Sequence, residues 1–371
     1  MQKEIISLLK ELQTSDQMSI LFISHDLALV SEIADETLVM YKGKVMEQQP
    51  TKLLFSQPSS EYTKALIHSR PSLNERLHRL PTINDFLEKN EKSNVITTAD
   101  RKVHHDKLYS GQPLLEVKNI SKSFYTKAGW FNKTEFKAVD NVSFSIYEGE
   151  TLGLVGESGC GKSTLGNLIL QLTKADSGSV LYRGKDITKL SKSNLKELRR
   201  EIQLIFQDPF ASLNPRMSIG KIIMEPMIAH DMHKNNAERK EKVIELLKNV
   251  GLSESHFNRY PHEFSGGQRQ RIGIARTIAL EPKLIICDES VSALDISVQA
   301  QVLNLLNELK ENYGFTYIFI SHDLAVVKYM ADQLLVMNKG KIVESGDSDT
   351  IYSNPNKDYT KKLIKAIPKG I

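Results

Sequence analysis

The chain has 371 residues, which is enough for two or three domains. Hydrophobic residues make up 40% of it and charged residues 25%, a composition typical of globular proteins that excludes a wholly disordered or collagen-like chain. The net charge is only +4, so composition gives no case for nucleic-acid binding, and the two cysteines exclude a disulfide framework, an all-cysteine zinc site and a four-cysteine iron–sulfur cluster.

The first predicted element is an amphipathic helix over residues 1–17. No run of 18 apolar residues occurs in the sequence, so no membrane-spanning helix is predicted. The N-terminus carries acidic residues and lacks the apolar core and small-residue cleavage site of a secretory signal. We therefore expect a cytoplasmic protein that can still contact a membrane-bound partner.

The chain repeats part of itself. Residues 1–73 align without a gap with residues 298–370 and share 30 identical residues, whereas chance gives about one in sixteen. Only the second copy is preceded by a stretch such as residues 113–297. We therefore expect residues 1–73 to be the C-terminal remnant of a first domain that is homologous to the second.

This interpretation makes the fold of the first copy doubtful. Its predicted strand, residues 20–24, has no counterpart of the neighbouring strand that the second copy offers. A core of about 70 residues is marginal, and an unpaired strand edge invites association. His25 takes the place that His322 has in the second copy.

Residues 74–112 are polar, charged and weakly periodic, which predicts a linker with one short helix near residues 84–90. The adjacent His104 and His105 lie in this stretch. Because no further metal ligands are near them in the sequence, we expect both side chains to be solvated.

From Leu114 onward, predicted strands alternate with predicted helices, and the helix that starts after residue 295 ends at a Gly314 cap. Short apolar runs at residues 282–289 and 315–323 are typical of buried parallel strands. The predicted class is α/β with a mainly parallel sheet, and an antiparallel β portion precedes residue 156. We expect one complete domain over residues 113–345 and a C-terminal extension over residues 346–371.

A glycine-rich stretch, residues 156–163, fits the phosphate-loop pattern because it follows an apolar strand at Thr151–Val155 and opens a predicted helix over residues 164–172. Its backbone N–H groups are expected to face the phosphates of ATP, Lys162 to reach the β- and γ-phosphates, and the Ser163 hydroxyl to bind Mg²⁺. The predicted nucleotide-binding residues of this loop are Gly156, Glu157, Ser158, Gly159, Cys160, Gly161, Lys162, Ser163 and Thr164.

Two carboxylates end the apolar strand that follows residue 283. Asp288 suits the Mg²⁺ shell, and Glu289 suits polarisation of an attacking water. An acidic strand end alone is usually a solvated turn. Its position after a phosphate loop favours the catalytic interpretation.

A second anion-binding helix end is predicted at Ser265, Gly266, Gly267 and Gln268. A domain needs only one anion-binding helix end for its own ATP. A second one therefore predicts contact with the γ-phosphate of a nucleotide bound by another domain. Here the sequence resembles the ATP-binding domains of ABC transporters, which carry a Leu-Ser-Gly-Gly-Gln signature. Phe264 replaces the leading Leu.

Further positions resemble the remaining elements of that family, in the family's order. Phe124, or alternatively Tyr125, resembles the aromatic that stacks on adenine, and Gln207 resembles the residue that senses Mg²⁺ and couples to membrane subunits. Asp295 resembles the end of the D-loop, which crosses the dimer interface. His322 resembles the switch histidine at the γ-phosphate.

The resemblance narrows to the ATPases of oligopeptide and dipeptide importers, on residues 207–217, 281–301 and 354–364. It implies the P-loop NTPase fold of the ABC ATPases and a peripheral subunit on the cytoplasmic face of the cell membrane. Such a subunit hydrolyses ATP with Mg²⁺ and works with membrane permeases and, indirectly, a substrate-binding protein. The cargo implied is a peptide, or a related molecule such as a nickel complex or glutathione.

Two departures from the family pattern matter. Ser290 stands where the family usually has Pro after the catalytic Glu. Because Ser does not fix φ as Pro does, we expect partial rather than lost ATPase activity. Cys160 lies inside the phosphate loop, and its thiol is expected to be exposed and activated as a thiolate.

The first copy offers neither a phosphate loop nor a signature turn. We therefore expect that no ATP sandwich closes within one chain and that hydrolysis needs a second ABC ATPase domain, from another copy or a separate subunit. Two alternatives stay open, a truncated product that binds ATP without driving transport and a soluble ABC protein outside transport.

Overall fold

The computed structural model describes residues 2–24, 26–72, 75–88, 94–128 and 132–366. The first copy holds helices and one strand pair, and two more helices lie between the copies. In chain order these are α1 (Gln2–Ser15), α2 (Leu27–Ile33), β1 (Glu36–Tyr41), β2 (Lys44–Pro50), α3 (Thr51–Ser56), α4 (Glu61–His68), α5 (Ile83–Leu87) and α6 (Thr98–Leu108).

The second part of the chain carries the sheets. Its elements are β3 (Leu115–Ala128), β4 (Asn132–Ile146), β5 (Thr151–Val155), α7 (Lys162–Ile169), β6 (Ser177–Tyr182), β7 (Lys185–Asp186), α8 (Lys192–Glu201), β8 (Ile202–Ile205), α9 (Pro209–Ser212), α10 (Ile219–Ala229), α11 (Asn236–Asn249), α12 (Gly266–Ile278), β9 (Leu284–Asp288), α13 (Ile296–Tyr313), β10 (Thr316–Ile320), α14 (Leu324–Met330), β11 (Gln333–Asn338), β12 (Lys341–Asp347), α15 (Ser348–Ser353) and α16 (Asp358–Lys365). Two short 3₁₀ helices, Glu254–His256 and Pro261–Glu263, precede α12.

A six-stranded sheet forms the centre, in the order β12-β11-β5-β10-β9-β8. All neighbours are parallel except β11 and β12. Strands β5 and β10 are buried on both faces, as their unbroken apolar sequences predict. The predicted mainly parallel α/β sheet is confirmed, and the carboxyl ends of β5, β9 and β10 meet at one edge where ligands bind in such sheets.

The antiparallel β portion is also present. Strands β4, β3, β6 and β7 form a separate four-stranded sheet in that order, all paired antiparallel. Its inner face, with Val117, Ile120 and Val139, packs in one core with α7 and one side of the central sheet. Helices α10, α11 and α12 pack with the other side of the sheet in a second core.

The elements of the first copy follow the same order as those at the end of the chain. Strands β1 and β2 pair with the register of β11 and β12, and the irregularity at Val39/Met40 recurs at Val336/Met337. The Glu47 carboxylate accepts the N–H groups of residues 59 and 60, as Glu344 does for residues 356 and 357. Sequence identity between the copies therefore extends to their local structure.

The predicted strand over residues 20–24 is wrong, because residues 18–24 form neither helix nor strand. The side chains of Leu21 and Ile23 are each 89% exposed, whereas their counterparts Ile318 and Ile320 are buried in β10 between two neighbouring strands. A strand without such neighbours leaves its backbone groups to water, so the apolar pattern alone does not produce one. His25 lies outside the described residues.

The segment between the copies is packed against the central domain. The predicted short helix corresponds to α5, but α6 was not predicted. Arg76 and Arg101 are buried and donate to carbonyl and carboxylate oxygens around β11 and α15.

The expectation that both histidines of this segment are solvated is wrong for His105. Its side chain is 16% exposed and lies 3.7 Å from Asp332, while that of His104 is half-exposed at 3.6 Å. In the described parts of the chain, no group of three or more histidine, cysteine or acidic side chains is arranged to hold a metal ion. No described helix combines the length and hydropathy needed to cross a bilayer.

Candidate functional site

The phosphate loop connects β5 to α7, and α7 begins at Lys162, two residues before the predicted start. Gly156, Gly159 and Gly161 all have positive φ, of 154°, 77° and 112°. A Cβ on Gly156 would lie 2.2 Å from the Met337 carbonyl oxygen, and one on Gly161 would lie 2.0 Å from that of residue 138. Glycine is therefore required at both positions to let the loop close around the start of α7.

Lys162 is the buried cation of the loop. Its Nζ donates to the carbonyl oxygens of Gly156, at 2.8 Å, and of Glu157, at 3.0 Å. Both oxygens belong to the loop itself, so the loop backbone holds the ammonium group in place. Ser158 and Gly159 form the turn of the loop, and Thr164 lies in the first turn of α7.

Ser163 and Asp288 are brought together as predicted, although they lie 125 residues apart in sequence. The Ser163 hydroxyl donates to Asp288 Oδ1 at 3.2 Å. Burial raises the pKa of Asp288, and the Ser163 hydrogen bond partly offsets this. A hydroxyl and a carboxylate are hard oxygen donors, and Mg²⁺ at nucleotide sites takes only one or two protein ligands beside phosphates and water, so this pair fits Mg²⁺.

Glu289 lies between the other two predicted catalytic side chains. Its Oε2 accepts from Gln207 Nε2 at 2.8 Å, and its Oε1 lies 3.6 Å from His322 Nδ1. Gln207 and His322 are exposed, while the Glu289 side chain is only 19% exposed. A carboxylate held in this way has a defined direction, which suits a general base that must face one water.

The backbone around Glu289 is in a left-handed turn, with φ of 48°. Its N–H donates to the Ile320 carbonyl at the end of β10, and its carbonyl accepts from the Ser292 N–H and hydroxyl. These bonds are made with Ser290, which is buried, in the place of the family's Pro. A non-glycine residue in this conformation is uncommon and often found at active sites.

The second predicted anion-binding end is formed at the start of α12. Ser265 is the N-cap, and its N–H donates to Gln268 Oε1 at 3.1 Å while its hydroxyl accepts the Gln268 N–H. Gly266 is open to solvent, whereas a Cβ on Gly267 would lie 2.2 Å from Val298 of α13. The backbone of the turn is therefore uncovered at Gly266 and packed against α13 at Gly267.

Asp295 and Phe124 are exposed. Asp295 is the N-cap residue of α13 and makes no side-chain capping bond. Burial raises the pKa of Tyr62, and the Tyr41 hydroxyl and the Asp295 carboxylate add to this. The Phe124 ring is 43% exposed on β3, with the Lys122 ammonium group 5.6 Å from its centre, and the Tyr125 side chain is 64% exposed. Both aromatic candidates remain open.

The expectation for Cys160 is wrong. Its thiol is buried in the loop, 4.0 Å from Lys162 Nζ, and burial raises its pKa although the ammonium group opposes this. The Cys160 sulfur packs against Gly156, where a Cβ on that glycine would lie 2.7 Å from it. The expected thiolate therefore does not form readily.

One contact at the loop was not predicted. The Glu157 N–H donates to the Tyr359 hydroxyl oxygen at 3.2 Å, and Tyr359 belongs to α16 of the C-terminal extension. The sequence held one signal for this residue, since Tyr359 recurs in the first copy as Tyr62. Sequence identity gave no indication of what it contacts.

Comparisons with known proteins agree with this geometry. Residues 139–292 match the family described as ABC transporter, and residues 46–95 and 343–370 match the family described as oligopeptide/dipeptide transporter, C-terminal region. The first match includes the phosphate loop, the signature turn and the Asp288–Glu289 pair.

Similar curated proteins include glutathione import ATP-binding proteins. The one from Salmonella paratyphi A is 44% identical over 370 residues, and the one from Pectobacterium atrosepticum is 42% identical; each alignment covers 99% of this chain and 59% of the relative. The one from Escherichia coli O6:H1 is 44% identical over 374 residues, with the same coverage. The chain thus spans about 59% of the length of the curated relatives it matches.

Two solved structures share the fold. A dimeric post-hydrolysis state of the ATP-binding cassette MJ0796, bound to ADP and Pi, is 29% identical with a TM-score of 0.57, over 63% of this chain and 98% of that one. The cbiO1 subunit from Clostridium perfringens is 27% identical with a TM-score of 0.58, over 70% of this chain and 97% of that one. The described fold is therefore that of a P-loop ABC ATPase, with a mixed sheet that includes parallel strands.

Proposed function

We propose that the chain is an ATP-binding protein of the ABC transporters, in the oligopeptide/dipeptide group, and that it binds and hydrolyses ATP to power a membrane importer. The observation that carries the proposal is the cluster of Gln207, Glu289 and His322 beside the phosphate loop. We assign the ATPase domain to residues 113–345 and the extension to residues 346–371.

ATP would bind with its phosphates in the loop. Lys162 would exchange the carbonyl oxygens of residues 156 and 157 for phosphate oxygens, and the N–H groups at the start of α7 would add a favourable helix end. Ser163 and Asp288 would hold Mg²⁺, with Gln207 nearby, and the ion would neutralise charge on the phosphates. Phe124, or alternatively Tyr125, would cover the adenine.

Glu289 would act as general base on the attacking water. The Gln207 amide fixes one carboxylate oxygen, and His322 lies close to the other. His322 is exposed on the same side and would contact the γ-phosphate. A movement of Gln207 would thus shift the Glu289 carboxylate directly, which would link the Mg²⁺ site to ATP hydrolysis.

A second ATPase domain would complete the site. The turn over residues 265–268 has an outward backbone face, and Asp295 carries an uncapped carboxylate; both suit contact with a partner's nucleotide and loop. The dimeric state of the MJ0796 cassette supports this arrangement. The partner would be another copy or a separate ATPase subunit.

A membrane permease would dock beside Gln207. A groove of about 450 Å³ lies between β8 and α10 and is lined by Leu172, Leu204, Phe206, Pro226 and Arg276 among others. The Phe206 side chain is 49% exposed there and adjoins Gln207, so a short permease helix in the groove would bear on the Glu289 cluster. The protein would then act at the cytoplasmic face of the membrane, and a substrate-binding protein would act on it indirectly through the permease.

The names of the relatives support a peptide-type cargo such as glutathione. No part of this chain contacts cargo in the proposal, because selection would lie in the permease and binding protein.

The test is the Mg²⁺-dependent ATPase rate against protein concentration. We expect specific activity to rise with concentration, because two ATPase domains must meet. Lys162→Ala is expected to abolish nucleotide binding, whereas Glu289→Gln is expected to keep binding and lower turnover by about 10²- to 10⁴-fold. ATP binding that survives Lys162→Ala, or turnover that survives Glu289→Gln, would refute the proposed roles.

A further inference from the structure

The contact between Tyr359 and the phosphate loop joins two parts of the chain that lie 202 residues apart. Tyr359 lies in the first turn of α16, and its ring is packed against the main core beside Leu363 and Ile364. The hydroxyl reaches beyond the core to the Glu157 N–H, at 3.2 Å. A side chain of the C-terminal extension is therefore part of the wall of the loop.

Helix α16 is itself firmly positioned. The Glu344 carboxylate accepts the N–H groups of Asn356 and Lys357, at 2.8 and 3.2 Å, just before the helix begins. Thr360, the residue after the tyrosine, is only 2% exposed. The Tyr359 hydroxyl is thus presented from a fixed base and does not rely on a mobile tail.

Glu157 is held by both of its backbone polar groups. Its N–H donates to Tyr359, and its carbonyl accepts from Lys162 Nζ at 3.0 Å. When phosphate oxygens replace the loop carbonyls around Lys162, the second of these contacts is lost. The Tyr359 contact uses the N–H of Glu157 and not the carbonyl that Lys162 binds, so it does not have to break when Lys162 changes partners.

We propose that Tyr359 is a positioning residue for nucleotide binding, holding residue 157 so that the phosphate loop keeps its binding conformation while Lys162 changes partners. This inference rests on the proposed function and adds a role for the extension at the same site. If the empty loop loses the hydrogen bond, a smaller fraction of molecules is ready to bind, and the apparent affinity falls by that fraction.

The first copy supplies a matched control. Tyr62 occupies the equivalent position, but its ring stacks on Tyr41 with centroids 4.4 Å apart, whereas the hydroxyl of Tyr359 is the one that accepts from the phosphate loop. Tyr62→Phe and Tyr359→Phe remove the same hydroxyl from equivalent helices. Both keep the ring, so the packing of each helix is retained.

The experiment measures the Kd for MgATP by calorimetry in the full chain, with thermal melting of each variant without nucleotide. We expect Tyr359→Phe to raise Kd by about twofold to tenfold, the range for loss of one hydrogen bond, and Tyr62→Phe to leave it unchanged. Melting without nucleotide is expected to be similar in all three proteins. In turnover assays the KM for ATP should rise while kcat is kept.

Amide hydrogen exchange of Glu157 in the nucleotide-free protein gives an independent readout, since only Tyr359→Phe should accelerate it. An unchanged Kd and unchanged exchange in Tyr359→Phe would overturn the inference while the proposed function stands. A wild-type chain that binds no MgATP would instead overturn the proposed function, and this inference with it.

Discussion

Glu150 has a buried carboxyl group, and its surroundings stabilise the ionised form poorly. Its Oε2 accepts the Tyr147 N–H at 2.8 Å, and the Tyr109 hydroxyl donates to Oε1 at 3.2 Å. Burial raises its pKa to about 7, and nearby Asp332 adds to this, whereas Lys310 opposes it. The folded state therefore binds this proton more tightly than the unfolded chain, whose pKa is about 4.3.

Stability falls as pH rises from about 4.3 through 7 and then stays level, with a total loss of about 4 kcal/mol. Glu150→Gln cannot ionise, so we expect it to gain stability relative to the wild type over this range. Urea unfolding of both proteins at pH 5 and pH 8 tests this, and a difference between them that does not change with pH would contradict it.

At the scale of elements, α12 and α13 meet where the signature turn begins. A Cβ on Gly267 would lie 2.2 Å from Val298 Cγ1, whereas one on Gly266 meets nothing within 4 Å. We expect Gly267→Ala to lower stability by about 1 to 3 kcal/mol, because the two helices must separate. Gly266→Ala is the matched control and is expected to leave the melting temperature almost unchanged; equal effects of the two variants would disprove the packing argument.

The sequence predicted those elements whose stability comes from their own pattern. The apolar runs of β5, β9 and β10 and the glycine pattern of residues 156–163 placed the sheet edge and the loop correctly. The strand at residues 20–24 has the same kind of pattern but fails because strands need neighbours. Helix α6 has a polar sequence, and its docking depends on Arg101, whose partners lie more than 200 residues away.

The candidate site was predicted to a similar extent. Motif spacing brought Ser163 to Asp288 and Gln207 to Glu289, since both pairs sit at ends of neighbouring elements. The motif did not predict that the Cys160 thiol is buried, because the direction of a side chain within a loop depends on local φ values that a motif does not give. It also failed at Tyr359, because that contact depends on how the C-terminal extension folds back.

At the scale of the whole molecule, Arg76 holds the segment between the copies against the part of the chain that carries the phosphate loop. Its guanidinium donates to the carbonyls of Tyr329 and Ala331, each at 3.0 Å, at the C-terminal end of α14, and it pairs with Asp349 at 3.1 Å. The side chain is 8% exposed, so these bonds are shielded from water and salt.

We expect Arg76→Ala to cost about 3 kcal/mol and to expose residues 70–112 to proteases, because it leaves helix-end carbonyls and a carboxylate without this partner. Arg79→Ala is the control on the same segment. Its side chain is half-exposed and pairs with Asp85, so a loss of at most about 1 kcal/mol is expected. Limited proteolysis with thermal melting checks both, and similar digestion of the two variants would contradict the difference.

The Asn304 side chain in the middle of α13 makes paired hydrogen bonds with Leu80, donating to its carbonyl and accepting its N–H, each at 2.8 Å. The amide thus satisfies both backbone polar groups of Leu80, as a neighbouring β-strand would. Because α13 starts at Asp295 on the surface proposed to meet a partner, a rotation of the helix would be carried to the segment that joins the copies. Helix α13 would then couple the proposed partner surface mechanically to the segment between the copies.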